Sequence, residues 1–125
     1  ERGVAVVELD TRPLGDDEHV SRAALVYGRP LVGMGAYDIT RIIDYLAARK
    51  DIDAGRVSLW AEGLTALPAL YAAALDERID GGTLSGLPPT YVTRQPVQHP
   101  TWTFAAGLLR HADIRHLAAL AGLTR

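Results

Sequence analysis

Apolar and polar positions alternate along the chain in three ways, and each predicts a different element. Gly3 to Leu9 (GVAVVEL) is a short valine-rich run closed by polar and turn-forming residues from Asp10 to Asp17, the pattern of a buried parallel strand. Tyr37 to Arg49 (YDITRIIDYLAAR) places Ile39, Ile42, Ile43 and Leu46 at helical spacing among Asp38, Thr40, Arg41 and Asp44, which predicts an amphipathic helix. After a linker from Lys50 to Gly55, Arg56 to Trp60 (RVSLW) reads as a second strand, and Leu64 to Leu75 as an alanine- and leucine-rich helix with Pro68 near its first turn. Asp76 to Gly81 closes that helix, and Gly82 to Ser85 predicts a short third strand. Strand, helix, strand, helix, strand is the order of a parallel sheet joined by right-handed crossovers.

Beyond Ser85 the composition changes. Gly86 to Thr103 (GLPPTYVTRQPVQHPTWT) is rich in proline and polar residues, predicting a surface loop that is the most mobile part of the chain. Phe104 to Arg110 and Asp113 to Leu123 then read as two short helices, the second with Asp113 as N-cap and Leu117, Leu120 and Ala121 on one face. No internal repeat and no low-complexity segment interrupts this order.

Composition narrows the function classes. The chain has 125 residues, enough for one domain with a real core. With 48% apolar residues, 22% charged residues and a net charge of −2, it matches a globular protein and carries no basic footprint for nucleic acid or membrane. The absence of cysteine excludes disulfides, thiolate metal sites and a cysteine nucleophile, and leaves the compartment open. The chain begins Glu1-Arg2-Gly3, without an initiator methionine or a signal-peptide pattern, and reads as cut from something longer.

The order of a valine-rich strand, an amphipathic helix and then RVSLWAEGLTALPALYAAALDERI resembles the nucleophile elbow of α/β-hydrolases. In that family the strand ends in GxSxG, with the serine on a strained turn and the next helix aiming its N-terminus at the substrate. Counting on from Arg56, the serine position falls on Gly63, and Ala61, Glu62, Gly63, Leu64 and Thr65 stand where the family has its five elbow residues. The resemblance extends to GVAVVELDTRPLG, to GRPLVGMGAYDITRIIDYLAAR and to FAAGLLRHADIRHLAALAG, which are similar to segments of the acetyl-xylan-esterase-like and prolyl-oligopeptidase-like branches. It implies an α/β fold: a three-layer parallel sheet with flanking helices, forming a single partial α/β-hydrolase core over residues 1–125. In the family the strand between the first strand and the elbow strand lies earlier in sequence, and the catalytic acid and histidine follow later strands.

Chemistry divides the functional expectations. Glycine can supply no nucleophile, whereas a strained turn with positive φ suits it sterically, so Gly63 reads as a turn glycine or as a site where water is activated in the space left by the hydroxyl. Glu62 is either a general base or a partly exposed carboxylate near a helix start. Asp10, Ser85 and His99 are candidates for the site edge, each with a plainer reading: Ser85 as a turn residue, His99 as a solvated loop histidine. His111 and His116 are five apart, off the i, i+4 spacing of zinc helices, and no metal site is expected from them or from His19. Asp10 also suggests the ribose-binding acid of dinucleotide folds, but no GxGxxG or P-loop accompanies it. No cofactor is expected. The resemblance implies a small carboxylic ester as ligand and a degenerate or fragmentary hydrolase without turnover, with a second copy or companion segments completing the sheet. The alternative is an active esterase that uses activated water or a displaced serine.

Overall fold

The structure, a computed structural model, describes residues 3–12, 17–94 and 99–122. Its elements are α1 (Glu18–Val26), α2 (Leu31–Ala47), β1 (Val57–Glu62), a 3-10 turn (Gly63–Thr65), α3 (Ala66–Leu75), β2 (Ile79–Ser85), two further 3-10 turns (Thr101–Thr103 and Leu108–Arg110) and α4 (Ile114–Leu120). The strands pair in parallel to give a two-stranded sheet with flanking helices, a mixed arrangement compatible with the α/β class. The three-layer sheet of the expectation is not assembled among the described residues.

Register explains which face is buried. Val57 pairs with Ile79, Leu59 with Gly82 and Ala61 with Leu84. These residues are buried or half-buried, because every second side chain of a strand points to the same face. That face rests on α3, whose residues Ala66 to Ala73 are all buried because α2 and α4 cover its other sides. The opposite face carries Ser58, Trp60, Glu62, Thr83 and Ser85, all exposed.

The helix α2 begins six residues before the amphipathic segment predicted from Tyr37. Pro30 stands at its N-cap with φ −58°, already helical in φ, and Leu31, Val32, Gly35, Ala36, Ile39 and Ile43 form the buried stripe against α3. Arg78 fixes the crossover: it reaches Asp76 in the α3–β2 connection at 2.6 Å and Asp44 on α2 at 2.8 Å. The third strand is longer than predicted, starting at Ile79 and not at Gly82.

Three expectations require correction. Gly3 to Leu9 joins no strand pair: Val4 is 89% and Val6 81% exposed, and Asp10 therefore does not terminate a strand. Valine content favours an extended chain, but a strand exists only where a neighbour takes its hydrogen bonds, and among the described residues β1 pairs with β2 alone. This segment is tied down only beyond its valines, where Leu9 packs against the core and Arg12 makes a bidentate pair with Asp38 of α2. The proline-rich stretch from Gly86 is also more than a surface loop, since Tyr91, Trp102 and Thr103 are buried; residues 95–98 lie outside the described residues. Phe104 to Arg110 forms only a 3-10 turn at Leu108–Arg110, entered through Gly107 in the left-handed region, and α4 ends at Leu120.

Candidate functional site at the carboxyl ends of the strands

Both strands end at the same edge. β1 runs to Glu62, and Gly63 then reverses the chain with φ 65° into the 3-10 turn that leads into α3. The Thr65 hydroxyl donates to the Glu62 carbonyl at 2.7 Å and closes the turn. The change of direction takes three residues, which is why a left-handed backbone is required. β2 ends at Ser85, followed by Gly86 with φ 72°. The two glycines meet: a Cβ on Gly86 would lie 3.0 Å from the Cα and N of Gly63. A Cβ on Gly63, in contrast, would meet nothing within 4 Å. Position 63 thus faces open space at the head of a strand–turn–helix unit.

Glu62 and Ser85 are register partners on the exposed face, beside Trp60 and Thr83. Together with Ala61 these residues line an open depression of about 480 Å³. No hydrogen bond joins the Glu62 carboxylate to the Ser85 hydroxyl, so that hydroxyl has no base in contact with it. Of the expected site residues, Ala61, Glu62 and Ser85 line this depression; Gly63 follows Glu62 at the turn, Leu64 is half-buried against the core and Thr65 is exposed on the turn. Neither Asp10 nor His99 lines the depression. Asp10 is exposed on an irregular stretch. His99 belongs to a ring cluster, 5.8 Å from Tyr91 and 6.3 Å from Phe104 between centroids.

A buried polar network, unforeseen from the sequence apart from its capping residue, organises the chain after β2. Asp113 is 7% exposed and accepts from the Tyr91 and Ile114 N–H groups at 2.9 and 2.8 Å, and from the Thr90 hydroxyl. His116 Nδ1 in turn accepts from the Asp113 N–H at 2.9 Å, completing a capping box, which gives this histidine a structural task. Burial pushes the Asp113 carboxyl up, but the hydrogen bonds from Thr90, Tyr91 and Ile114 outweigh it and hold the group below its ordinary value. The Tyr91 hydroxyl donates to the Thr103 carbonyl at 2.8 Å and lies 3.3 Å from the Tyr71 hydroxyl; burial raises both phenols, so they act as neutral donors. An Asp before an apolar helix was the only part of this network that a local pattern could reveal.

Among the described residues no group of three or more His, Asp or Glu side chains gathers to hold a metal. No described helix is long and apolar enough to cross a membrane.

Comparison with known proteins gives one informative likeness. An 82-residue stretch, 62% of the chain, is 29% identical to part of a Bacillus subtilis (strain 168) protein named "Putative hydrolase YtaP". The match takes in 27% of that protein's length. No family model matches the chain, and no solved structure matches it. The likeness indicates a hydrolase-like relationship.

Proposed function

We propose that this chain is the elbow-bearing core of an α/β-hydrolase-type carboxylic-ester hydrolase, a single α/β unit over residues 1–125, in which the nucleophile has been replaced by Gly63 and ester turnover by the chain itself is lost. The observation that carries the reading is the backbone at Gly63. A parallel strand ends in a left-handed residue, passes through a three-residue turn and enters a helix, and a side chain at that residue would project into open space. This is the local geometry that presents a nucleophile above a sheet edge, here without the nucleophile. The likeness to a protein named as a hydrolase supports it. On this reading the exposed sheet face, with Trp60 at its centre, is where a third layer packs.

The chemistry of acyl transfer sets the consequence. A hydroxyl attacks an ester only when an imidazole takes its proton and an acid orients the imidazole. No histidine lines the depression, so restoring the hydroxyl alone restores no catalytic unit. A second reading rests on Ser85, a hydroxyl beside Glu62 in the same depression, which would act as a displaced nucleophile on a small ester.

Hydrolysis of a p-nitrophenyl ester, measured with and without a serine-directed phosphonate, tests both. The proposal expects no turnover above the uncatalysed rate and no covalent adduct. Phosphonate labelling at Ser85 with loss of turnover establishes the second reading, and steady turnover insensitive to the reagent establishes activated water; either overturns the first.

A further inference from the structure

A separate pocket of about 270 Å³ opens between Tyr91 and the segment from Phe104 to Arg110. Tyr91, Phe104, Ala105, Leu108 and Leu109 form its walls, and the chain turns around it through Gly107 at φ 83°. The Tyr91 hydroxyl is directed to the Thr103 carbonyl and the Tyr71 hydroxyl, and the ring of this residue, which is 5% exposed, forms the apolar floor of the pocket. Phe104 tilts against that ring at 5.7 Å between centroids, and His99 meets both edge-on. Arg110 also lines the pocket, and among the described residues no carboxylate lies within ion-pair distance of it. On α1 and α2 the exposed cations Arg22 and Arg41 each hold an acidic partner, whereas Arg115 of α4 is, like Arg110, without an ion pair among the described residues.

We propose that this pocket binds a small aryl carboxylate, its ring against Tyr91 and Phe104 and its carboxylate on the Arg110 guanidinium. Size, shape and charge agree on that class. At about 270 Å³ and open on one side, the pocket has room for a single small ring. Aromatic walls favour a flat ring in edge-to-face or offset contact. A planar guanidinium without a partner matches a carboxylate through paired hydrogen bonds; inorganic phosphate engages the same fork but brings no ring to the aromatic wall, and a neutral alcohol brings no charge. The assignment is independent of the hydrolase reading, because none of these residues belongs to the strand-end depression.

Titration of the whole chain with benzoate, followed by backbone amide NMR, is the test. Saturable shifts are expected at Tyr91 and from Gly107 to Arg110. Benzyl alcohol and inorganic phosphate should bind at least about tenfold more weakly, since each lacks half of the recognition. Arg110→Gln should reduce benzoate affinity to that of benzyl alcohol, and Arg110→Lys should retain part of the difference. Arg110 is exposed and its side chain holds no contact the fold depends on, so both variants fold. The proposal is overturned by benzoate shifts that do not saturate, by shifts centred on Trp60 and Ser85, by equal binding of benzyl alcohol or phosphate, or by an unchanged affinity in Arg110→Gln.

Discussion

Gly63 and Gly82 both hold positive φ, at 65° and 140°, yet substitution should cost far more at the second than at the first. A Cβ at position 63 meets nothing, so Gly63→Ser carries only the backbone penalty of a left-handed residue, about 1–2 kcal/mol. Thermal unfolding should show a cooperative transition lowered by several degrees, with ester hydrolysis no higher than in the parent chain. A rescue to rates typical of serine esterases would mean that a histidine already faces the turn. At Gly82 a Cβ would lie 1.9 Å from the Leu59 carbonyl oxygen, inside the ladder that joins the strands. Gly82→Ala should cost upwards of about 3 kcal/mol, readable as a loss of cooperative denaturant unfolding, because a backbone atom has no rotamer to escape into. The turn glycine was legible by counting along a strand and helix. The role of Gly82 was not, and neither was the pairing of Glu62 with Ser85, because both depend on a register shifted by an irregularity between Val57 and Ser58 that no local pattern encodes.

Among the elements, those with a strong local signal and a local partner were readable. α2, α3 and α4 follow from apolar spacing, and Asp113 from its place before an apolar run. α1 was missed because its apolar residues are largely exposed, although Asp17 before Glu18 is an N-cap signal: its carboxylate accepts from the His19 N–H at 2.8 Å and the Val20 N–H at 3.3 Å. The valine-rich run failed in the other direction, since local preference without a pairing strand does not make a sheet. Asp113 is where an element and its surroundings are most tightly joined. Asp113→Ala removes the cap of α4 and orphans the buried Tyr91 N–H, a loss of about 2–4 kcal/mol. Because the folded carboxyl titrates below its unfolded value, its contribution is complete above the unfolded value near pH 4 and disappears as pH falls through the lower folded value. Asp76, held low first by its hydrogen bonds from Arg78, acts with the same sign. Chemical denaturation at a series of acidic pH values should therefore show a stability loss on acidification that is shallower in Asp113→Asn.

At the scale of the molecule, exposed surface is the quantity that decides what comes next. The chain exposes 8702 Å², whereas a compact monomer of its 13.5 kDa is expected to expose about 6,500 Å². The exposed apolar side chains include Val4, Val6 and Val7 on the unpaired segment and Trp60, 80% exposed, on the bare face of the sheet. A two-stranded sheet is marginal in water, and an open strand edge recruits further strands. A standard interface hides about 800 Å² on each partner, well within the excess. The chain should therefore self-associate, with sedimentation velocity showing a mass that rises with concentration. Trp60→Lys should weaken that association by about tenfold or more, because Trp60 is the one large apolar side chain on a face otherwise made of Ser58, Glu62, Thr83 and Ser85, and so its strongest single anchor. Val26→Lys, an equally exposed apolar residue at the end of α1 and away from the sheet, serves as the control and should leave association unchanged. A monomer at every concentration, or equal effects of the two substitutions, would show that the sheet face is satisfied by solvent. Selective loss with Trp60→Lys would locate the contact on the face where the hydrolase reading places its third layer.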